Sequence, residues 1–209
     1  MRLVDSLQEQ SVLESVLEDS KPAIPVAARP LHYLLATPFR YRPQHGSRFR
    51  APFAAGVWYG APALRTALAE KSYWRLRFLL DAADIPDLKP VPHTAFCAGV
   101  LTRAALDLTV PPLSRERTAW RHPRSYARTQ ELAQAANEAH IQLIRYESVR
   151  DPQAGTCAAV LDPAVFGRGK PHGFETWFIA AARERVRCAR DERGGLTWEF
   201  TAGQLLAEG

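Results

Sequence analysis

Four arginines, Arg40, Arg42, Arg48 and Arg50, fall within eleven residues of the segment FRYRPQHGSRFR. The pair Trp58-Tyr59 follows, then a helix-like run whose first acid is Glu70. Guanidinium forks grip phosphate oxygens. A flat ring stacks on a heterocycle, and a carboxylate faces a positive charge that develops during reaction. Together these are the parts of a pocket that holds a nucleotide and breaks it. Gly46-Ser47, inside the arginine cluster, lets the backbone come close to a ligand.

Each part also has a plainer reading. Loop arginines are commonly solvated surface charges, and Tyr59 fits a half-buried core position with a satisfied hydroxyl. Glu70 lies in TALAEKSYW, three residues after Ala67 and four before Trp74, and shares a helix face with both. It could equally be ion-paired or exposed, because an unpaired buried carboxylate is costly. Ser148 sits in YESVR, where a turn serine bonds the local backbone, and Arg150 beside it offers a further phosphate contact. The segment is neither a Walker loop nor a G-x-G-x-x-G turn, and no G-x-S-x-G elbow surrounds Ser148.

The elements that must position these residues follow from periodicity. Leu3, Val4, Leu7, Val12, Leu13, Val16 and Leu17 form one stripe of an N-terminal helix with acids opposite. The prolines of SKPAIP end it. Leu31 to Ala36 is an apolar run of open type, and the prolines around the arginine loop break regular structure. Gly56 to Gly60 reads as a strand. Ala63 to Leu80 reads as a helix through Leu64, Ala67, Leu68, Trp74, Phe78 and Leu79, with Pro62 at its start. Asp84 to Pro92 is expected to be loop, Phe96 to Leu101 and Ala105 to Leu108 strands, and Pro111 to Pro123 irregular. A helix is expected over Ser125 to Ala139, then strands Gln142 to Tyr146 and Thr156 to Leu161. Val186 to Cys188 and Leu196 to Phe200 flank Glu192-Arg193-Gly194-Gly195 as a hairpin. Helices and short strands without strict βαβ alternation indicate an α+β fold.

With 209 residues, 46% apolar and 10% aromatic, the chain can build a core. No apolar run reaches bilayer length, so no membrane partner is expected. Cys97, Cys157 and Cys188 are too scattered for a disulfide framework or zinc cage, which points to a reducing cytoplasm and no metal. A formal charge of +5 suits a phosphate-bearing ligand or an acidic partner.

The ordered set GSRFR (46–50), VWYGA (57–61), TALAE (66–70) and YESVR (146–150) resembles the RES domain. LLATPFRY (34–41), YARTQELAQAANEA (126–139) and IRYESVRDPQAGTCAAVLDP (144–163) extend the likeness over roughly residues 31 to 165. The resemblance implies that residues 1–30 are an added helix and linker and 31–209 the RES domain, a compact single domain similar to ADP-ribosyltransferases. It implies a toxin of a bacterial toxin–antitoxin pair that consumes NAD+ as substrate, with no separate cofactor. Arg48, Glu70 and Ser148 are then the catalytic set, and Arg40, Tyr41, Arg48, Tyr59 and Arg150 hold the dinucleotide. The family also carries an arginine on an early strand, which is here either missing or replaced by Arg40. The implied partner is an Xre-type antitoxin, bound to a homodimer or larger complex, with no direct contact to nucleic acid. Two alternatives remain: transfer of ADP-ribose to a target protein, and a non-catalytic basic regulator that binds nucleic acid.

Overall fold

A computed structural model describes residues 6–167, 169–190 and 195–207. In chain order its elements are α1 (Leu7–Asp19), α2 (Tyr33–Arg40), β1 (Trp58–Gly60), α3 (Leu64–Asp81), β2 (Asp87–Cys97) and β3 (Ala105–Asp107). There follow α4 (Arg117–Trp120), α5 (Ala127–Glu138), β4 (Leu143–Glu147), β5 (Thr156–Val160), β6 (His172–Ala182), β7 (Arg185–Ala189), β8 (Thr197–Thr201) and α6 (Ala202–Leu206). Short 3₁₀ turns occupy Val26–Ala28, Leu113–Glu116 and Pro163–Phe166. The strands form two four-stranded sheets, β1-β5-β4-β3 and β2-β6-β7-β8. All pairs are antiparallel except β3 with β4. The architecture is the α+β expected from the sequence.

The long helix α3 packs one side on the second sheet. Its Leu68, Ala69, Leu76 and Leu79 are buried against Trp177, Ile179, Val186 and Phe200 of the second sheet. Truncating a fully buried leucine such as Leu79 to alanine costs about 2–5 kcal/mol. One face of the first sheet buries Ile144 and Tyr146 with Phe49, Trp120, Ala133 and Ala136. A third cluster gathers Leu35 and Phe39 of α2 with Val160, Val165 and Phe166.

Several elements differ from the periodicity reading. The open run Leu31 to Ala36 leads into α2, which accepts Pro38 near its end. The chain crosses back over that proline at Gly56, where a Cβ would lie 1.3 Å from the Pro38 carbonyl oxygen. Glycine is required there by close approach, and the crossing sets where β1 begins. The expected loop Asp84 to Pro92 is largely strand β2, which tolerates Pro90 and Pro92 because it is an edge strand with a register shift between Leu88 and Val91. That strand ends at Cys97, short of Leu101. The irregular stretch from Pro111 holds a 3₁₀ turn and α4. Strand β6 has no counterpart in the periodicity reading, although Trp177, Ile179 and Ala181 alternate inward. Strands β7 and β8 pair as expected; residues 191–194, which hold most of the expected Glu192 to Gly195 turn, lie outside the described residues, as do Leu3 and Val4. In the apolar stripe of α1, Val12, Val16 and Leu17 are exposed.

Candidate active site

A cleft of about 310 Å³ opens between α3 and the first sheet. Its walls come from the arginine loop, β1, α3, the start of α5, β4 and Arg150. Of the expected site residues it brings together Arg48, Tyr59, Glu70 and Arg150, and Ser148 bonds into it from below.

Ser148 is fully buried. Its hydroxyl donates to Glu70 Oε1 at 2.6 Å and accepts the backbone N–H groups of Arg150 (3.2 Å) and Asp151 (3.0 Å). The two accepted bonds fix the hydroxyl, so its proton faces the carboxylate. Burial pushes the Glu70 carboxyl above the usual range; the Ser148 bond and the Arg48 and Arg150 charges pull it back down. Burial prevails, so the carboxyl holds its proton more readily than a free glutamate, and the donor and the two cations only moderate that shift.

The turn that presents Ser148 is clamped to α3 a second time. Asp151 accepts from the Thr66 hydroxyl at 2.7 Å and from the Arg65 guanidinium. Burial pushes the Asp151 carboxyl up, but bonds from the Gln153 N–H, Thr66 and Arg65 outweigh it and hold the carboxyl below its usual value. Arg65, Thr66 and Glu70 all stand on α3, so one helix sets the distance across the site. Gly155 closes the turn where a Cβ would lie 2.1 Å from Thr66 Oγ1.

Arg48 donates to the carbonyl oxygens of Trp120 (2.9 Å) and His122 (3.1 Å) and lies over the Tyr126 ring at 4.9 Å. Gln130 of α5 holds the loop itself through the Ser47 and Arg50 carbonyls. The Tyr59 hydroxyl accepts the Phe49 N–H at 3.0 Å and lies 2.8 Å from Ser47 Oγ. Burial pushes that phenol up despite the two bonds. The residue is about a third exposed and lines the cleft, while its hydroxyl end is anchored. Arg150 is buried, stacks on Tyr73 at 3.6 Å and donates to the Pro123 carbonyl at 2.6 Å. Burial pushes the Cys157 thiol, at the cleft floor, up to about 12, which makes it an unreactive wall.

Arg40 and Tyr41 do not line this cleft. Arg40 ends α2 and donates to Glu18 Oε1 and to the Pro22 carbonyl, so its guanidinium ties α1 and the linker to the domain. The expected substitution of Arg40 for an early-strand arginine is corrected accordingly: Arg48 and Arg150 are the guanidinium groups of the cleft. Periodicity did not single out Tyr126 or Tyr146 as site residues, nor Asp151 as a turn clamp. The only signal for Asp151 was its place in the turn RDPQAG, since an Asp-Pro pair before a glycine marks a tight turn.

An α+β domain with arginine, glutamate and serine converging on one cleft matches the RES domain family model over residues 24–180, and the chain belongs to that family. The match begins where Ile24 and Ala28 join the α2 cluster. RES domains are associated with the toxins of toxin–antitoxin systems. No curated protein matches the chain. Among the described residues, no helix is long and apolar enough to cross a membrane.

Proposed function

We propose that this protein is the toxin of a bacterial toxin–antitoxin pair and that it splits NAD+ between nicotinamide and ribose, on a fold of the ADP-ribosyltransferase kind. One observation carries the reading above the others: the 2.6 Å bond from a fully buried Ser148 to Glu70, in a cleft that also holds guanidinium groups and a part-exposed tyrosine.

In this reading nicotinamide packs on Tyr59, the adjoining ribose meets Glu70, and the pyrophosphate meets Arg48 and Arg150. The bond from the anomeric carbon to nitrogen breaks, and its electron pair leaves on nicotinamide. The ribose carbon becomes oxocarbenium-like, and an ionised Glu70 oxygen about 4 Å away stabilises it by about 4 kcal/mol at an effective dielectric constant of about 20. Water then adds its oxygen to that carbon and loses a proton, giving ADP-ribose; phosphate in the same place gives the phosphorylated sugar. Ser148 and the two arginines favour the ionised form of Glu70 that this step needs, against the push of burial. Loss of NAD+ stops the host, and an Xre-type antitoxin bound to a dimer or larger assembly keeps the cleft covered until release.

The test is purified protein with NAD+, with nicotinamide release quantified by chromatography. Glu70→Gln keeps the acceptor for Ser148 and removes the charge. Its rate is expected to fall on the order of a hundredfold to a thousandfold. Release at the parental rate would remove Glu70 from the chemistry, and absence of release from the parent, with water or with phosphate, would remove the activity.

A further inference from the structure

Helix α3 carries two rings that the core does not use. Trp74 is 56% exposed and Phe78 is 61% exposed. They lie four residues apart on one side of the helix. The opposite side, with Leu68, Leu76 and Leu79, is spent on the second sheet. Two large rings left in water one turn apart are a binding surface more than a folding one.

These rings wall a second cavity of about 640 Å³. It adjoins the catalytic cleft, because Tyr73, Trp74, Tyr126 and Arg150 line both. At that junction the Arg150 guanidinium is fixed in place by Tyr73 and the Pro123 carbonyl. Arg77 and Arg124 add positive charge around the larger space, and Asp81, the one acid among its described lining residues, is 3.1 Å from Arg77. Ala67, Glu70, Lys71 and Trp74 face the first cavity, and Trp74, Arg77, Phe78 and Asp81 face the second. One helix face therefore runs along both. From Glu70 to Phe78 it rises about 12 Å.

We propose that the larger cavity is a purine-nucleotide subsite. It receives the adenosine half of the dinucleotide, with the base stacked on Trp74 and Phe78 and the pyrophosphate held at Arg150. The inference rests on the reading of the smaller cleft as the nicotinamide end, and it adds where the other half binds and which side chains select it.

The experiment compares NAD+ with nicotinamide mononucleotide, which lacks the adenosine half, in the parent and in Phe78→Ala. Phe78 is exposed and lines only the larger cavity, so its loss does not open the core. Stacking losses of this kind are on the order of tenfold in affinity, so KM for NAD+ is expected to rise about tenfold. The ratio of kcat/KM for NAD+ over the mononucleotide should fall by the same factor. A parallel calorimetric titration of AMP into Glu70→Gln, with and without Phe78→Ala, reads the subsite without catalysis. If NAD+ is cleaved with the same KM and the same ratio in Phe78→Ala, the subsite is overturned and the cleavage reading stands. If NAD+ is not cleaved but AMP binds and Phe78→Ala weakens it about tenfold, the subsite stands and the cleavage reading falls. AMP that does not bind at millimolar concentration overturns the subsite.

Discussion

Ser148→Ala separates two roles that one hydroxyl performs. The Ser148 oxygen makes three bonds in a fully buried position, one given to Glu70 and two taken from the Arg150 and Asp151 N–H groups. Alanine leaves those two donors without this acceptor. Each buried unsatisfied group costs about 1–3 kcal/mol. A total near 3 kcal/mol lowers the melting temperature by roughly 6–12 °C for a chain of this size. The second effect concerns charge. The Ser148 bond lowers the Glu70 pKa against the upward push of burial. Without it the carboxyl stays protonated to higher pH, and a protonated carboxyl cannot stabilise a cationic sugar. The acid limb of nicotinamide release must therefore move to higher pH. The assay is the release rate from about pH 5 to about pH 9, at a temperature below the melting point of the variant. A limb that coincides with the parental one, in protein still folded by circular dichroism, would refute the claim that Ser148 sets the state of Glu70.

Three further outcomes follow from the same geometry. Because burial raises the Glu70 pKa in the folded state, its contribution to stability is fully present below the unfolded value near 4.5 and is lost as pH rises through the folded value; Glu70→Gln should thus melt higher than the parent at neutral pH, with the gap closing as pH falls, and a gap that widens in acid would contradict this. Arg48→Lys keeps the charge but loses the planar fork that reaches the Trp120 and His122 carbonyls; KM for NAD+ should rise by about tenfold or more, and an unchanged KM would place Arg48 outside the dinucleotide site. Gly155→Ala pushes a Cβ into Thr66 Oγ1 and Asp151 Oδ2, and overpacking of this kind costs about 1–3 kcal/mol; calorimetry showing no loss would mean the turn yields without strain.

Arg48, Glu70 and Ser148 were legible because short ordered segments carried them, and each segment lands on a regular element or a tight turn that fixes the direction of its side chain. Tyr59 and Arg150 were legible by adjacency to the same segments. Arg40 was misassigned on the same ground: it is near the loop in sequence, but α2 ends beneath it and Glu18 of α1 takes its guanidinium. Nothing in the local spelling of LHYLLATPFRY separates an arginine that faces a cleft from one that holds a helix in place. The first part of β2, up to Pro92, was read as loop; its prolines oppose a central strand, and only the sheet order reveals that it is an edge.

Helix α3 explains why the site residues alone do not reveal the site. A helix with one apolar stripe declares its buried side. This one buries Leu68, Ala69, Leu76 and Leu79 on the second sheet, and turns Glu70, Lys71, Trp74 and Phe78 toward two cavities. Aromatic and aliphatic residues thus fall around much of its circumference, and the amphipathic signal cancels. The periodicity that places Trp74 and Phe78 with Leu64, Leu68 and Leu79 counts them as core, whereas burial separates the packed leucines from the exposed rings. The ambiguity has a physical source: a ring that stacks on a ligand and a ring that packs in a core are chemically the same residue. Only the position of Leu76 and Leu79 against Trp177 and Val186 decides which rings stay exposed.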